Sequence, residues 1–236
     1  MTINKMLTTV NYSVGNGKQN QYIVIHYVGA LGGAEANCRY FQSTLRNASA
    51  HYFVGHNGEI WQCVEDKDIA WHCGAKSYRH PYCRNGNSIG IELCCRQTSN
   101  GTWYFEEATV KAAIELVQTL MAKYNIPVSN VVRHYDVTGK ICPEPYVRSS
   151  AQWDSFKAYL TSSPVSSASS STAPASGYLV KITADVLNVR RGAGVGYAVA
   201  TTVKKGEVYT IVDEYKGWGK LKSGAGWIKL SYTKRV

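Results

Sequence analysis

The spacing of hydrophobic positions changes several times along the chain. Tyr22–Tyr27 (YIVIHY) is a β-rich run that ends in a histidine, and residues 51–54, 59–64 and 88–94 read as further strands. A helix is predicted over residues 33–47. The clearest helix is 106–124, where Val110, Ala113, Ile114, Val117, Leu120, Met121 and Tyr124 recur at spacings of three and four and share one face. Asn125, Ile126 and Pro127 should stop it, because the residue before a proline avoids helical geometry. Val131 and Val132 then resume a strand, and Ser150 reads as the N-cap of a last helix carrying Trp153, Phe156 and Leu160. Strands interleaved with helices predict an α/β unit with a central mixed β-sheet flanked by helices.

From residue 178 the period is two and no helical pattern appears. Residues 186–190, 207–212, 218–221 and 226–230 alternate as strands, with Gly192, Gly194, Gly196, Gly206, Gly217 and Gly224 as turns, which predicts a small all-β barrel. Between the two patterns lie sixteen residues, SSPVSSASSSTAPASG, with no charge and almost nothing to bury. They should tether two domains across about 20 Å as a flexible coil. The expected division is a catalytic domain over 1–161, a linker over 162–177 and a β-module over 178–236.

Composition narrows the class. The chain has 236 residues, 44% hydrophobic and 18% charged, an ordinary globular balance. No apolar run approaches the roughly 20 residues a membrane helix needs, and residues 1–21 contain no apolar run of signal-peptide length. The expectation is therefore synthesis in the cytoplasm and no membrane insertion. Of the net charge of +10, residues 161–236 carry +7. Such a field attracts anionic polymers of nucleic acid, lipid or cell wall. The seven cysteines are odd in number and absent from the last third, so reduced, buried thiols are expected. Cys63, Cys73, Cys83 and Cys94 recur at nearly even intervals without any CxxC pair, a weak zinc signature.

A stronger candidate for metal binding combines His26 at the end of the first strand, His134 after the strand at 131–132, and Cys142 eight residues on. Two imidazoles and a thiolate suit zinc, and three protein ligands leave the fourth tetrahedral position for water. By ligand types alone, two satisfied polar histidines and a buried thiol remain the alternative.

Five motifs in order tip that balance: VIHY with His26, SAHYFV at 49–54, DIAWHCG at 68–74, NSIGIEL at 87–93, and RHYDVTGKICP with His134, Lys140 and Cys142. Together they resemble the zinc-dependent N-acetylmuramoyl-L-alanine amidases, in the branch related to a phage lysozyme and the peptidoglycan recognition proteins. The resemblance spans about residues 22–160. It implies Zn2+ held by His26, His134 and Cys142, and cleavage of the amide between the lactyl group of N-acetylmuramic acid and L-Ala of peptidoglycan. It also implies two further groups. Glu92 would take the proton of water and pass it to the departing amine, and Lys140 would steady the developing oxyanion. Members of the phage branch carry a tyrosine where His51 stands, so His51 either orients water or substrate or simply sits in its strand. Trp71 and His72 are expected to line the groove for sugar and stem peptide. Asp136 is a candidate partner for a ligand histidine, and His56 and His80 read as surface residues.

In the last domain LNVRRG at 187–192, GWGKL and AGWIKL resemble bacterial SH3 (SH3b) modules, which implies attachment to the cell wall. Tyr197, Tyr209, Tyr215, Trp218 and Trp227 are its candidate contacts, with some of them needed for the core. The combination reads as an endolysin or autolysin that acts on the wall after release. A receptor that binds peptidoglycan without cutting it is the alternative, which Cys142 argues against. Nucleic acid is not an expected partner, since no groove-reading helix, RNP motif or zinc-finger cysteine pattern accompanies the basic charge.

Overall fold

The computed structural model describes residues 1–16, 20–161, 177–195, 197, 199–215 and 217–236. The chain divides into two compact units, Met1–Ser163 and Pro164–Val236. The expected tether, except for Gly177, lies outside the described residues.

The first unit runs β1 (Ile3–Lys5), β2 (Tyr12–Ser13), β3 (Tyr22–Tyr27), α1 (Ala34–Gln42), β4 (Tyr52–Val54), β5 (Ile60–Gln62), β6 (Ile69–Ala70), β7 (Ser88–Leu93), β8 (Arg96–Gln97), β9 (Trp103–Tyr104), α2 (Glu107–Tyr124), β10 (Val131–Arg133), α3 (His134–Thr138), α4 (Glu144–Arg148) and α5 (Ser150–Thr161). Six strands form the central sheet in the order β1-β5-β4-β7-β3-β10. Every neighbouring pair is parallel except β4 with β5, so the sheet is mixed as expected.

Alternation along these strands separates two faces. Ile23, Ile25, Ile89, Ile91 and Leu93 point to one side and join Leu116, Val117 and Phe156 of α2 and α5 in a single buried core. On the other side Phe53 packs with Ala34 and Cys38 of α1, while Tyr22 and Val24 pack with Cys73, Cys83 and Val137. That second face is therefore covered partly by α1 and partly by the irregular segment 71–87.

Several local expectations shift. The first helix ends at Gln42, short of Asn47. Asn11 explains the early stop, because its amide donates to the carbonyls of Phe41 and Thr44 and draws the chain out of the helix. The last helix is capped one residue earlier, since the Ser149 hydroxyl accepts the Gln152 N–H while Ser150 is already helical. The end of α2 falls where expected, with Asn125 left-handed at φ 53° and the Ile126 N–H closing onto the Met121 carbonyl. His56 is not a surface residue: it is 8% exposed and its Nε2 bonds the Cys95 carbonyl. All seven cysteines are buried free thiols.

The second unit contains β11 (Tyr178–Ile182), β12 (Val186–Arg190), β13 (Val199–Lys204), β14 (Val208–Tyr215), β15 (Trp218–Leu221), β16 (Trp227–Lys229) and β17 (Thr233–Arg235). They make one antiparallel sheet in the order β13-β12-β16-β15-β14-β11-β17. Val180, Ile182, Leu187, Val189, Ile211, Leu221 and Ile228 are its core. Trp218 and Trp227 are buried together against Ala193, which removes both from the candidate contact surface. Tyr215 stays exposed at 37%.

Candidate active site

β3, β7 and β10 run parallel, so their carboxyl ends share one edge of the sheet, where open α/β sheets commonly bind ligands. The strand register sets His26 beside Glu92 at that edge, and His134 directly follows the last residue of β10. Both strand side chains take the face opposite the isoleucine core, because each is an odd number of residues from its Ile neighbours. Cys142 arrives from the loop after α3, which the Tyr135 N–H ties down by donating to the Cys142 carbonyl at 2.8 Å.

One ligand atom from each of His26, His134 and Cys142 lies within 4.8 Å of the other two, and all three residues are buried. His26 Nδ1 is 3.7 Å from Cys142 Sγ and 3.9 Å from Glu92 Oε1. His134 Nδ1 and Glu92 Oε2 are buried without a hydrogen-bond partner among the described residues. Orphaned buried polar atoms are destabilising and rare, and they occur here beside a thiol and a second imidazole. This donor set fits Zn2+ or a similar borderline-soft cation. The evenly spaced Cys63, Cys73, Cys83 and Cys94 form no such group among the described residues.

The surroundings tune each donor. Burial, reinforced by His72, His134 and Lys140, holds His26 well below the ordinary histidine range. Burial and the Lys140 and His72 charges take His134 down to about 4. Both rings are thus neutral, the state in which imidazole ligates metal. Burial raises the Cys142 thiol, with the Glu92 charge adding to the shift. Burial also lifts the Glu92 carboxyl to about 8, while the Lys140 ammonium works the other way. A carboxyl that holds its proton near neutrality is suited to carry one between two partners.

A cleft of about 500 Å³ opens at the site and is lined by Trp71, His72, Lys76, Asn85, His134 and Lys140 among others. Lys140 is exposed. Trp71 is half-buried and fixed at both ends: its backbone N–H donates to Ser49 Oγ and its indole N–H to Ser13 Oγ, each at 2.9 Å. Asn85, which the sequence did not signal, accepts the His72 and Cys73 N–H groups through Oδ1 and so holds the segment bearing Trp71 and His72.

Two expected participants are elsewhere. His51 is fully buried, with Nδ1 accepting the Gly90 N–H at 3.0 Å and Nε2 3.1 Å from the Asp68 carbonyl. Both nitrogens are engaged by backbone groups, which favours the alternative in which His51 simply sits in its strand. Burial and the His72 charge, opposed by the Asp68 bond, keep it neutral with a pKa of about 4. Asp136 does not support a ligand histidine. Its carboxylate accepts the Arg133 backbone N–H at 2.8 Å and the Arg133 guanidinium at 2.7 and 3.0 Å, capping α3.

Comparison with known proteins agrees with this geometry. Residues 16–145 match the family described as N-acetylmuramoyl-L-alanine amidase, and residues 185–234 match the bacterial SH3 domain. A probable N-acetylmuramoyl-L-alanine amidase of Bacillus licheniformis is 35% identical over 67% of this chain and 48% of its own length. The amidase CwlL of the same organism is 36% identical over 65% and 45%. The chain thus spans about half the length of these curated relatives. Among solved structures, the catalytic domain of XlyA is 30% identical, with a TM-score of 0.56 over 68% of this chain and 99% of that one. With more than half of its length matched by the family model and the motif residues gathered at one edge of the sheet, the chain belongs to the N-acetylmuramoyl-L-alanine amidase family.

Proposed function

We propose that the chain hydrolyses the amide between the lactyl group of N-acetylmuramic acid and L-Ala in bacterial peptidoglycan. The observation that carries this reading is the convergence of His26, His134 and Cys142 within 4.8 Å, with the Glu92 carboxyl 3.9 Å from His26. In this reading the three residues hold Zn2+, which when bound lowers the pKa of a water to about 7 and polarises the scissile carbonyl. Glu92 receives the proton of the attacking water and delivers it to the leaving L-Ala amine, a transfer its raised affinity for a proton favours. Lys140, exposed at the cleft wall, places its ammonium against the negative charge that grows on the carbonyl oxygen. The indole of Trp71 offers a flat apolar surface to a sugar ring or stem peptide.

The same reading divides the chain into a catalytic domain over 1–161, a linker over 162–177 and a wall-binding module over 178–236. The module's excess of basic side chains suits an anionic wall polymer as its partner. The site of action is the bacterial cell wall.

Digestion of purified peptidoglycan tests the reaction. Wild-type enzyme should release L-Ala amino termini and no new reducing ends. Cys142→Ser and chelator-treated enzyme should each lose at least roughly 1,000-fold in rate, the order expected for removing a metal-activated nucleophile. New reducing sugar without new amino termini would mean a glycosidase and end the proposal.

A further inference from the structure

His72, expected at the groove wall, occupies a more specific position behind the metal-binding cage. His26 Nε2 lies 3.0 Å from His72 Nδ1, His72 Nε2 lies 3.2 Å from Ser88 Oγ, and Ser88 Oγ donates to the Arg84 carbonyl at 2.6 Å. The last group fixes the direction of the whole chain, because a carbonyl can only accept. The Ser88 proton goes to Arg84, so Ser88 Oγ accepts from His72 Nε2–H. With Nε2–H engaged by Ser88, His72 turns Nδ1 toward His26, where it accepts His26 Nε2–H. His26 is left with its lone pair on Nδ1, the nitrogen 3.7 Å from Cys142 Sγ.

The fold makes room for this arrangement at one point. Gly90 lies in the interior of β7, two residues before Glu92 on the same face, and a Cβ there would come within 2.5 Å of the His72 ring. Glycine weakens a strand, and its use in a strand interior marks a close approach. Here the approaching group is the imidazole. Asn85 holds the His72 backbone from the other side.

We infer that His72 is a positioning residue that fixes the tautomer and ring orientation of His26 through a Ser88–His72–His26 hydrogen-bond relay anchored on the Arg84 carbonyl. This rests on the proposed metal centre. A ligating histidine gains basicity and a fixed orientation when its other N–H has an acceptor, which here is a second imidazole in place of the more usual carboxylate or carbonyl.

The test is zinc affinity, measured by chelator competition on the full chain and independent of turnover. His72→Phe keeps ring bulk over Gly90 and removes the acceptor. It should weaken zinc binding roughly 10- to 100-fold. His72→Asn, with an oxygen acceptor near the position of Nδ1, should recover most of that loss. The cobalt(II)-loaded protein should show altered ligand-field bands in the Phe variant and near-native bands in the Asn variant, a signature that simple space-filling would not produce. Ser88→Ala leaves the ring in place and should give a smaller loss of affinity. Zinc affinity of the Phe and Ser88 variants within about twofold of wild type, well inside the loss expected for a broken relay, would overturn the inference alone. A wild type that takes up no zinc would overturn the metal centre, and the inference with it.

Discussion

The two faces of the central sheet are built from the same strands yet obey opposite rules. On one, Ile23, Ile25, Ile89, Ile91 and Leu93 meet α2 and α5 in a predominantly apolar core. On the other, the alternate residues His26, Ser88, Gly90 and Glu92 meet a short helix and an irregular segment, and buried polar atoms remain unpaired. A face covered by regular helices can be filled with apolar side chains. One covered partly by loops leaves a cleft, and there the sheet exposes donors whose unmet bonding capacity is available for a cation and a substrate. The stability of the first face supports the unsatisfied groups of the second.

Substitutions on the two faces should separate activity from stability. Glu92→Gln removes the proposed proton carrier at nearly constant volume and should lower turnover roughly 100- to 10,000-fold, read as the rate of L-Ala amine release. Its effect on stability has the opposite sign. Burial lifts the folded carboxyl to about 8, above its ordinary value of 4.5, so ionising it opposes folding. The metal-free wild type should lose stability as pH rises from 4.5 through 8, and Glu92→Gln should flatten that slope and melt higher at alkaline pH. A variant that melts lower than wild type at pH 9 would contradict the burial argument. On the dry face Ile91→Ala should destabilise by about 2–5 kcal/mol through the cavity it leaves. The folded fraction should retain its turnover, checked by denaturant melts and assays well below the midpoint.

His51 sharpens the comparison because it is a buried polar group on the second face that is fully paired. His51→Asn should leave turnover nearly intact while costing about 1–3 kcal/mol of stability at pH 7, for the lost Asp68 bond. The sign with pH follows from its depressed pKa of about 4 against an ordinary histidine value of 6.5. The neutral ring contributes fully above 6.5, and that contribution is lost as pH falls toward 4. The difference in melting temperature between wild type and variant should therefore shrink on acidification. A large fall in turnover by the folded variant would return His51 to the catalytic set.

The sequence was legible where periodicity and motif were strong. The face of α2, its stop at Asn125 and the strand over Tyr22–Tyr27 that carries His26 appear where the pattern placed them. Less legible were elements made by partners distant in sequence. Where α1 stops, Asn11 donates to the Phe41 carbonyl and to that of Thr44 just beyond, a contact between residues about thirty apart that no window around the helix contains. Trp218 and Trp227 read equally well as contact or core, and their mutual burial settled the matter. Gly90 stands inside a strand without any local signal of its purpose, since the ring it accommodates comes from eighteen residues earlier.

By itself the sequence determined the kinds of atoms available: two imidazoles, a thiol, a carboxyl and an ammonium in five ordered motifs, and a basic β-module after a linker. Tertiary structure decided which of them share a point in space. Parallel strand register brought His26 level with Glu92, the turn after β10 delivered His134, and a loop returned Cys142 across more than a hundred residues. It also assigned the histidines, giving His51 two backbone partners and placing His72 behind His26. A side chain's chemistry is local to its residue, whereas its freedom to act depends on which bonds its neighbours have already filled.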